Sequence, residues 1–231
     1  MKTCWLNQQD NQDCIVFMAG WGMMPEPFMD IPPGSTDVLM VYNYRTMDDW
    51  DFPDFLRKNS PKNIHLLAWS MGVWTAAMLL RNDLQTCRSF SSTTAVGGTC
   101  QPIHDRFGIP EQTFDRTIRD LSPAALVAFY RSMFDNSEEA EQFLQHRPHR
   151  HRPLADLRLE LTALRRICGE LSDIPNIFKN RIVTRRDQIF PARNQMRAWG
   201  RNACTSVALP HFPFYQWSSW AETLKTLQHL T

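Results

Sequence analysis

No apolar run in this 231-residue chain approaches the roughly 20 residues that a bilayer-spanning helix needs. The opening stretch MKTCWLNQQDNQD lacks the apolar core of a signal peptide, so a cytoplasmic protein with no membrane contact is expected. The six cysteines, Cys4, Cys14, Cys87, Cys100, Cys168 and Cys204, form neither a CxxC pair nor a dense framework, and read as reduced structural thiols. Charge excess is missing too. A net charge of +1 implies no bulk polyanion partner, and therefore no nucleic acid. Internal repeats are absent, and the one low-complexity patch is HRPHRHRP, residues 146 to 153, expected to form an exposed turn. His146, His149 and His151 in that patch have no acid or cysteine beside them, so no metal site is expected.

What is present fits an ordinary globular protein: 43% hydrophobic and 21% charged residues exclude a wholly disordered chain. The length suits one domain, 1–231, carrying an insertion. CIVFMAGWG reads as a buried strand ending in a glycine-containing loop, and DVLMVYNY as a second strand. Ile64 to Ala68 suit a third, followed by a helix through Val73, Ala76, Ala77 and Leu80. CRSFSSTTAVGG reads as a further strand closing on two glycines. From Thr99 to Pro175 the pattern turns helical, in EQTFDRTIRDL, PAALVAFYRSMF and PLADLRLELTALRRI, with Ser122–Pro123 as a helix start. Strand signals resume in NRIVTRR and CTSVAL, separated by the helix RNQMRAWG and followed by the terminal helix WSSWAETLKTLQHL. The order predicts an α/β fold: a mostly parallel sheet with a helical cap inserted at about 99–175.

The sharpest feature is Ala68, Trp69, Ser70, Met71, Gly72, where a strand becomes a helix around a serine. Such a turn lifts the hydroxyl above the sheet, and it needs small residues two before and two after because backbone packs on backbone there. The usual pattern is GxSxG, and alanine satisfies the first position. A serine nucleophile needs a base to take its proton and an acid to orient that base. RIVTRRDQIFP places Asp187 just beyond one strand, and SVALPHFPF places His211 just beyond the next. Both loops would emerge at the carboxyl ends of parallel strands, on the edge that carries Ser70. His65 is at the wrong edge, and the other histidines lie in the insertion or the last helix. An ion pair of Asp187 with Arg185 or Arg186 is the open alternative. Oxyanion donors would come from the N–H of Met71 and from the AGWGMM loop, where Trp21 lies between Gly20 and Gly22. Alternatively, the two glycines simply make a turn.

FMAGWGM, HLLAWSMGVWTA, FGIPEQTFDRTIRDL, RRICG, RRDQIFPARNQMRAW and HFPF together resemble the BioG-type pimeloyl-[acyl-carrier protein] methyl ester esterases of bacterial biotin synthesis. The resemblance runs from about residue 14 to the C-terminus, and it is more distant to the BioH-type esterases. It implies an α/β-hydrolase fold, Ser70 as nucleophile, Asp187 as acid, His211 as base, and Trp21 and Met71 at the oxyanion and substrate site. The implied substrate is a seven-carbon dicarboxylate, thioester-linked to acyl carrier protein at one end and methylated at the other, and no metal or organic cofactor is needed. The insertion then acts as a lid whose Phe129, Tyr130 and Phe134 line an acyl pocket, although aromatics at helical spacing also suit plain core. Between Arg147 and Arg166 six arginines face only Asp156 and Glu160, a local excess of four positive charges. Arg147, Arg150, Arg152, Arg158, Arg165 and Arg166 could therefore dock an acidic carrier protein, or simply form a solvated face. A general carboxylesterase or thioesterase of the same fold is the nearest rival. A non-catalytic protein that binds an acidic partner is a second.

Overall fold

Asn63–Trp69, the strand that leads into Ser70, lies at the centre of a seven-stranded sheet. The computed structural model describes residues 1–47, 61–146, 152–171 and 173–230. The strands are β1 (Lys2–Asn7), β2 (Asp13–Met18), β3 (Thr36–Tyr42), β4 (Asn63–Trp69), β5 (Ser92–Val96), β6 (Asn180–Thr184) and β7 (Thr205–Val207). Their spatial order is β1-β3-β2-β4-β5-β6-β7. Only β1 runs antiparallel to its neighbour; every other pairing is parallel. The carboxyl ends of β2, β4, β5, β6 and β7 therefore share one edge, where loops after parallel strands meet.

The helices follow from capping and burial. After β2 comes the short α1 (Glu26–Met29). Next, α2 (Met71–Leu79) is buried from Met71 to Met78, so it is apolar all round and belongs to the core. Asp83 caps α3 (Leu84–Ser89) by accepting from the Thr86 N–H. Cys87 and Arg88 are thus helical, and the strand expected from CRSFSSTTAVGG begins only at Ser92, because the aspartate cap diverts the chain. Between β5 and β6 lie α4 (Glu111–Arg119), α5 (Pro123–Ser132), α6 (Ser137–Gln145) and α7 (Leu154–Glu170). Ser122 accepts from the Ala125 N–H at 3.2 Å with Pro123 in the first turn, the start that the sequence predicts. Then α8 (Ala192–Trp199) and α9 (Trp220–His229) alternate with β7.

Besides the short helices α1 and α3, β1 and α6 escape the sequence reading. β1 is a half-exposed edge strand, and α6 buries only Ala140 and Phe143. Neither leaves a strong apolar period. Under the nucleophile edge, Phe17, Phe28, Trp69, Phe212, Phe214 and Trp220 form one aromatic cluster, mostly edge-on, with neighbouring centroids from 5.1 Å apart. The same core continues into the inserted helices through Phe134 and Phe143, which pack on Phe212.

Candidate active site

Ser70 joins β4 to α2 with φ 58 and ψ −129, a strained backbone for a residue with a Cβ. Neighbouring backbone holds it there. Its N–H donates to the Val96 carbonyl at 3.1 Å, and its own carbonyl accepts from the Val73 N–H at 3.1 Å. A Cβ on Gly72 would stand 2.2 Å from the Met18 carbonyl oxygen, and one on Gly98 would stand 2.3 Å from the Ser70 carbonyl oxygen. That is the physical reason for small-x-Ser-x-Gly: the elbow rests on β2 without room for one carbon more. Gly98, seen in the sequence only as a strand end, packs against the same turn.

Asp187 follows β6, and its side chain is wholly buried among donors. Oδ1 accepts from the Ile189 and Phe190 N–H groups at 2.8 and 2.7 Å. Oδ2 accepts from Thr184 Oγ1 at 2.7 Å and Gln195 Nε2 at 3.1 Å, and lies 2.8 Å from His211 Nδ1. The alternative ion pair is not made by Arg186, which turns to Asp135 at 2.7 Å. His211 follows β7 at 1% exposure, stacked parallel to Phe190, with Nε2 3.0 Å from Ser70 Oγ. Because Asp187 faces donors, the imidazole proton belongs on Nδ1, which leaves the Nε2 lone pair for the serine hydroxyl. Ser70, His211 and Asp187 thus form one continuous hydrogen-bonded chain.

In front of Ser70 lies a cavity of about 160 Å³, walled by Trp21, Met71, Phe114, Phe129, Leu161 and Ile189 among others. Met71 opens α2, so its N–H has no intrahelical acceptor, and the residue lines the cavity beside Ser70. Trp21 is fixed by its ring, 5.1 Å from Phe129, and by an Nε1–H bond to the Leu157 carbonyl at 3.1 Å. A second hollow shares Trp21, Phe129 and Ser132 and extends between α4 and α5 to Arg116 and Asp120. Of the three expected pocket aromatics, only Phe129 lines this cavity. Tyr130 is fully buried with its hydroxyl donating to the Gly22 carbonyl at 3.0 Å, and Phe134 packs on Phe143 and Phe212 behind His211. Both are core, Tyr130 packed on Phe143 and Phe134 between Phe143 and Phe212.

The BioG family, described as pimeloyl-ACP methyl esterase, matches residues 1–223. The chain belongs to this family. A malonyl-[acyl-carrier protein] O-methyltransferase of Bacteroides fragilis is 34% identical over 188 residues, 81% of this chain but 36% of that protein. The chain thus spans about a third of the length of that relative. An uncharacterized protein of Haemophilus influenzae is 32% identical over 225 residues, 96% of this chain and 98% of its own. The crystal structure of BioG from Haemophilus influenzae superposes with a TM-score of 0.78 at 28% identity, covering 96% of this chain and 98% of that one. An esterase from Exiguobacterium antarcticum, at 15% identity and a TM-score of 0.63 over 99% of this chain and 92% of its own, shares the fold. The fold is that of the α/β hydrolases, and family and fold together support an esterase.

In this BioG-family chain the arginines expected at a carrier surface divide. Arg147 and Arg150 lie outside the described residues. Arg152 is 5% exposed and bonded to the wholly buried Glu160 at 2.8 Å, so it cannot reach a partner. Arg158 donates to the carbonyls of Ile118, Arg119 and Leu121 and closes the end of α4. Arg165 pairs with Glu111 and Asp115, and Arg166 with Glu170, all at 2.9 Å on the surface. His149 and His151 lie outside the described residues, and His146 pairs with Asp30 at 2.5 Å. Among the described residues no helix is long and apolar enough to cross a membrane.

A second serine–histidine–aspartate contact sits at the opposite sheet edge. His65 Nδ1 is 2.9 Å from Ser92 Oγ, and Nε2 is 3.4 Å from Asp13 Oδ1. Ser92, however, starts a regular strand and lacks the elbow and helix N-terminus that flank Ser70. Sequence reasoning passed over Thr184 and Gln195, which hold Asp187, and Trp69, whose indole bonds the His211 carbonyl at 2.6 Å. The only signal was their nearness to the motif residues.

Proposed function

We propose that this chain is a serine carboxylesterase that hydrolyses the methyl ester of pimeloyl-[acyl-carrier protein], yielding pimeloyl-[acyl-carrier protein] and methanol in biotin biosynthesis, in the cytoplasm and without a cofactor. The reading rests on the Ser70–His211–Asp187 chain of hydrogen bonds at the base of a largely apolar cavity. Ser70 Oγ attacks the ester carbonyl carbon while His211 Nε2 takes its proton. The carbonyl oxygen becomes an oxyanion between the Trp21 and Met71 N–H groups. His211 returns the proton to the departing methoxide, which leaves as methanol. A water then adds to the acyl group, gives its proton to His211, and releases the carboxylate as Ser70 recovers its own. Asp187 keeps the imidazole in the right tautomer and stabilises its cation.

Substrate choice follows from the walls. Phe114, Phe129, Leu161 and Ile189 suit a methylene chain, and a methyl ester carries no charge to desolvate. The hollow between α4 and α5 gives the carrier-linked end a way out past Arg116, with residues 99–175 acting as a lid on one hydrolase domain. Arg165 and Arg166 suit an acidic carrier, since exposed ion pairs are weak enough to exchange partners. The Bacteroides relative supports the assignment through its name, which describes methylation of a carrier-bound acid. The triad alone would attack a thioester as readily. Rates on free methyl pimelate and on the carrier-linked ester separate a dedicated enzyme from a general one: a dedicated enzyme is far slower on the free ester, and equal rates would leave a general esterase.

A further inference from the structure

Helix α7 reaches back to two loops at once: its Leu157 carbonyl holds the loop that follows β2, and a buried carboxylate holds the one that follows β3. Glu160 is wholly buried, an unusual place for a charge unless something needs it there. Its Oε1 accepts from the Tyr44 N–H at 2.7 Å, and its Oε2 accepts from Arg152 at 2.8 Å. Burial pushes its pKa up, while Arg152 and the N–H groups of Tyr44 and Gly22 act to keep it ionised. Tyr44 in turn donates its hydroxyl to the Ala19 carbonyl at 2.6 Å, the residue at which the Gly20–Trp21–Gly22 loop begins. One helical turn before Glu160, the Leu157 carbonyl accepts from the Trp21 indole at 3.1 Å. Gly22 has φ 75, and the Tyr130 hydroxyl bonds its carbonyl at 3.0 Å. The loop is thus tied on both sides to helices inserted far downstream, and Gly20 in it lies so near Ser70 that a Cβ would stand 3.2 Å from the nucleophilic oxygen.

We infer that Glu160 is a positioning residue: acting through Tyr44 and Gly22, it fixes from the inserted helices the loop whose Trp21 N–H is the second oxyanion donor, so the catalytic site is complete only while α7 is docked. The inference rests on Ser70 being an esterase nucleophile. Arg152 serves it by compensating the charge, which explains why one arginine of a basic segment turns inward. A salt bridge kept only for stability is the weaker rival, since hydrophobic pairs of similar volume commonly replace buried pairs without loss. Glu160 touches no reacting atom. Its effect should therefore fall on the transition state and not on ester binding.

The test replaces both charges together, which leaves neither unpaired: Arg152→Met with Glu160→Leu, and Arg152→Met with Glu160→Gln. Folding is followed by circular dichroism, functional sites by titration with a fluorophosphonate, and kcat and KM on a p-nitrophenyl ester. For the leucine variant we expect kcat per titrated site to fall roughly ten- to hundred-fold, short of the loss of a whole donor, with KM little changed. Affinity for a boronic acid that mimics the tetrahedral adduct should fall in parallel, and the glutamine variant, which keeps one acceptor oxygen, should recover most of both. Folded variants with wild-type kcat and boronate affinity would overturn the inference, as would failure of both variants to fold, which would make the pair a stability element. If wild type itself shows no Ser70-dependent ester hydrolysis, the esterase reading fails first.

Discussion

The indole of Trp69, the residue before the elbow serine, donates its Nε1–H to the backbone carbonyl of His211 at 2.6 Å, with the two rings 5.1 Å apart. The strand that carries the nucleophile therefore also holds the backbone of the base. Trp69→Phe keeps most of the aromatic packing but leaves a buried carbonyl without that donor, at a cost of about 1–3 kcal/mol. We expect a melting temperature lowered by a few degrees and kcat reduced about ten-fold with KM unchanged, read by calorimetry and steady-state ester hydrolysis.

Asp187→Asn should be far more damaging to rate than to fold. The amide keeps the shape but presents an NH₂ to a site filled with donors, including Thr184, Gln195 and the Ile189 and Phe190 N–H groups. The imidazole loses the partner that fixes its tautomer, and kcat should drop by roughly 10³ to 10⁴. Thr184→Val removes a single donor from that set and should cost on the order of ten-fold. Similar losses in the two variants would contradict the assigned roles.

Two glycines should respond in opposite directions. Gly72→Ala forces a carbon to within 2.2 Å of the Met18 carbonyl oxygen, and backbone on both sides leaves no way to yield. Soluble folded protein is not expected. Gly169 lies in α7, where a Cβ would meet no neighbouring heavy atom within 4 Å, so Gly169→Ala should stabilise by about 0.5–1 kcal/mol. The yield of soluble protein reads the first, and urea unfolding the second.

Much of this was legible in the sequence because each strand end carries its own signal. The strand before Ser70 is a buried, largely apolar run, and Asp187 and His211 each follow a shorter strand that still carries a β-branched apolar signal. What escaped has a common cause. β1 and α6 are half-exposed and show little periodicity, and the aspartate cap of α3 is a local bond hidden in an apolar-looking stretch. Arg152 and Glu160 look like solvated residues, because their burial depends on Tyr44, over a hundred positions away in the chain. Phe129 and Tyr130 show how helical spacing cannot distinguish a pocket wall from core: adjacent residues of α5 do each.

His65 should set part of the acid limit of stability. Burial lowers its pKa from the usual 6.5, against the opposing pull of Asp13. A histidine whose folded pKa is depressed favours the fold while neutral. As pH falls below 6.5 the unfolded chain takes up the proton first, so stability is lost from there down through the folded pKa. His65→Gln should flatten that decline as pH falls below 6.5 in urea titrations. An unchanged slope would place the acid sensitivity elsewhere.

The most direct test of the central claim is the mass of the carrier after incubating pimeloyl-[acyl-carrier protein] methyl ester with wild type and with Ser70→Ala. Wild type should make the carrier lighter by one CH₂ with the thioester intact, and the variant should leave it unchanged. Release of the whole acyl chain, or an equal loss with the variant, would contradict the assignment.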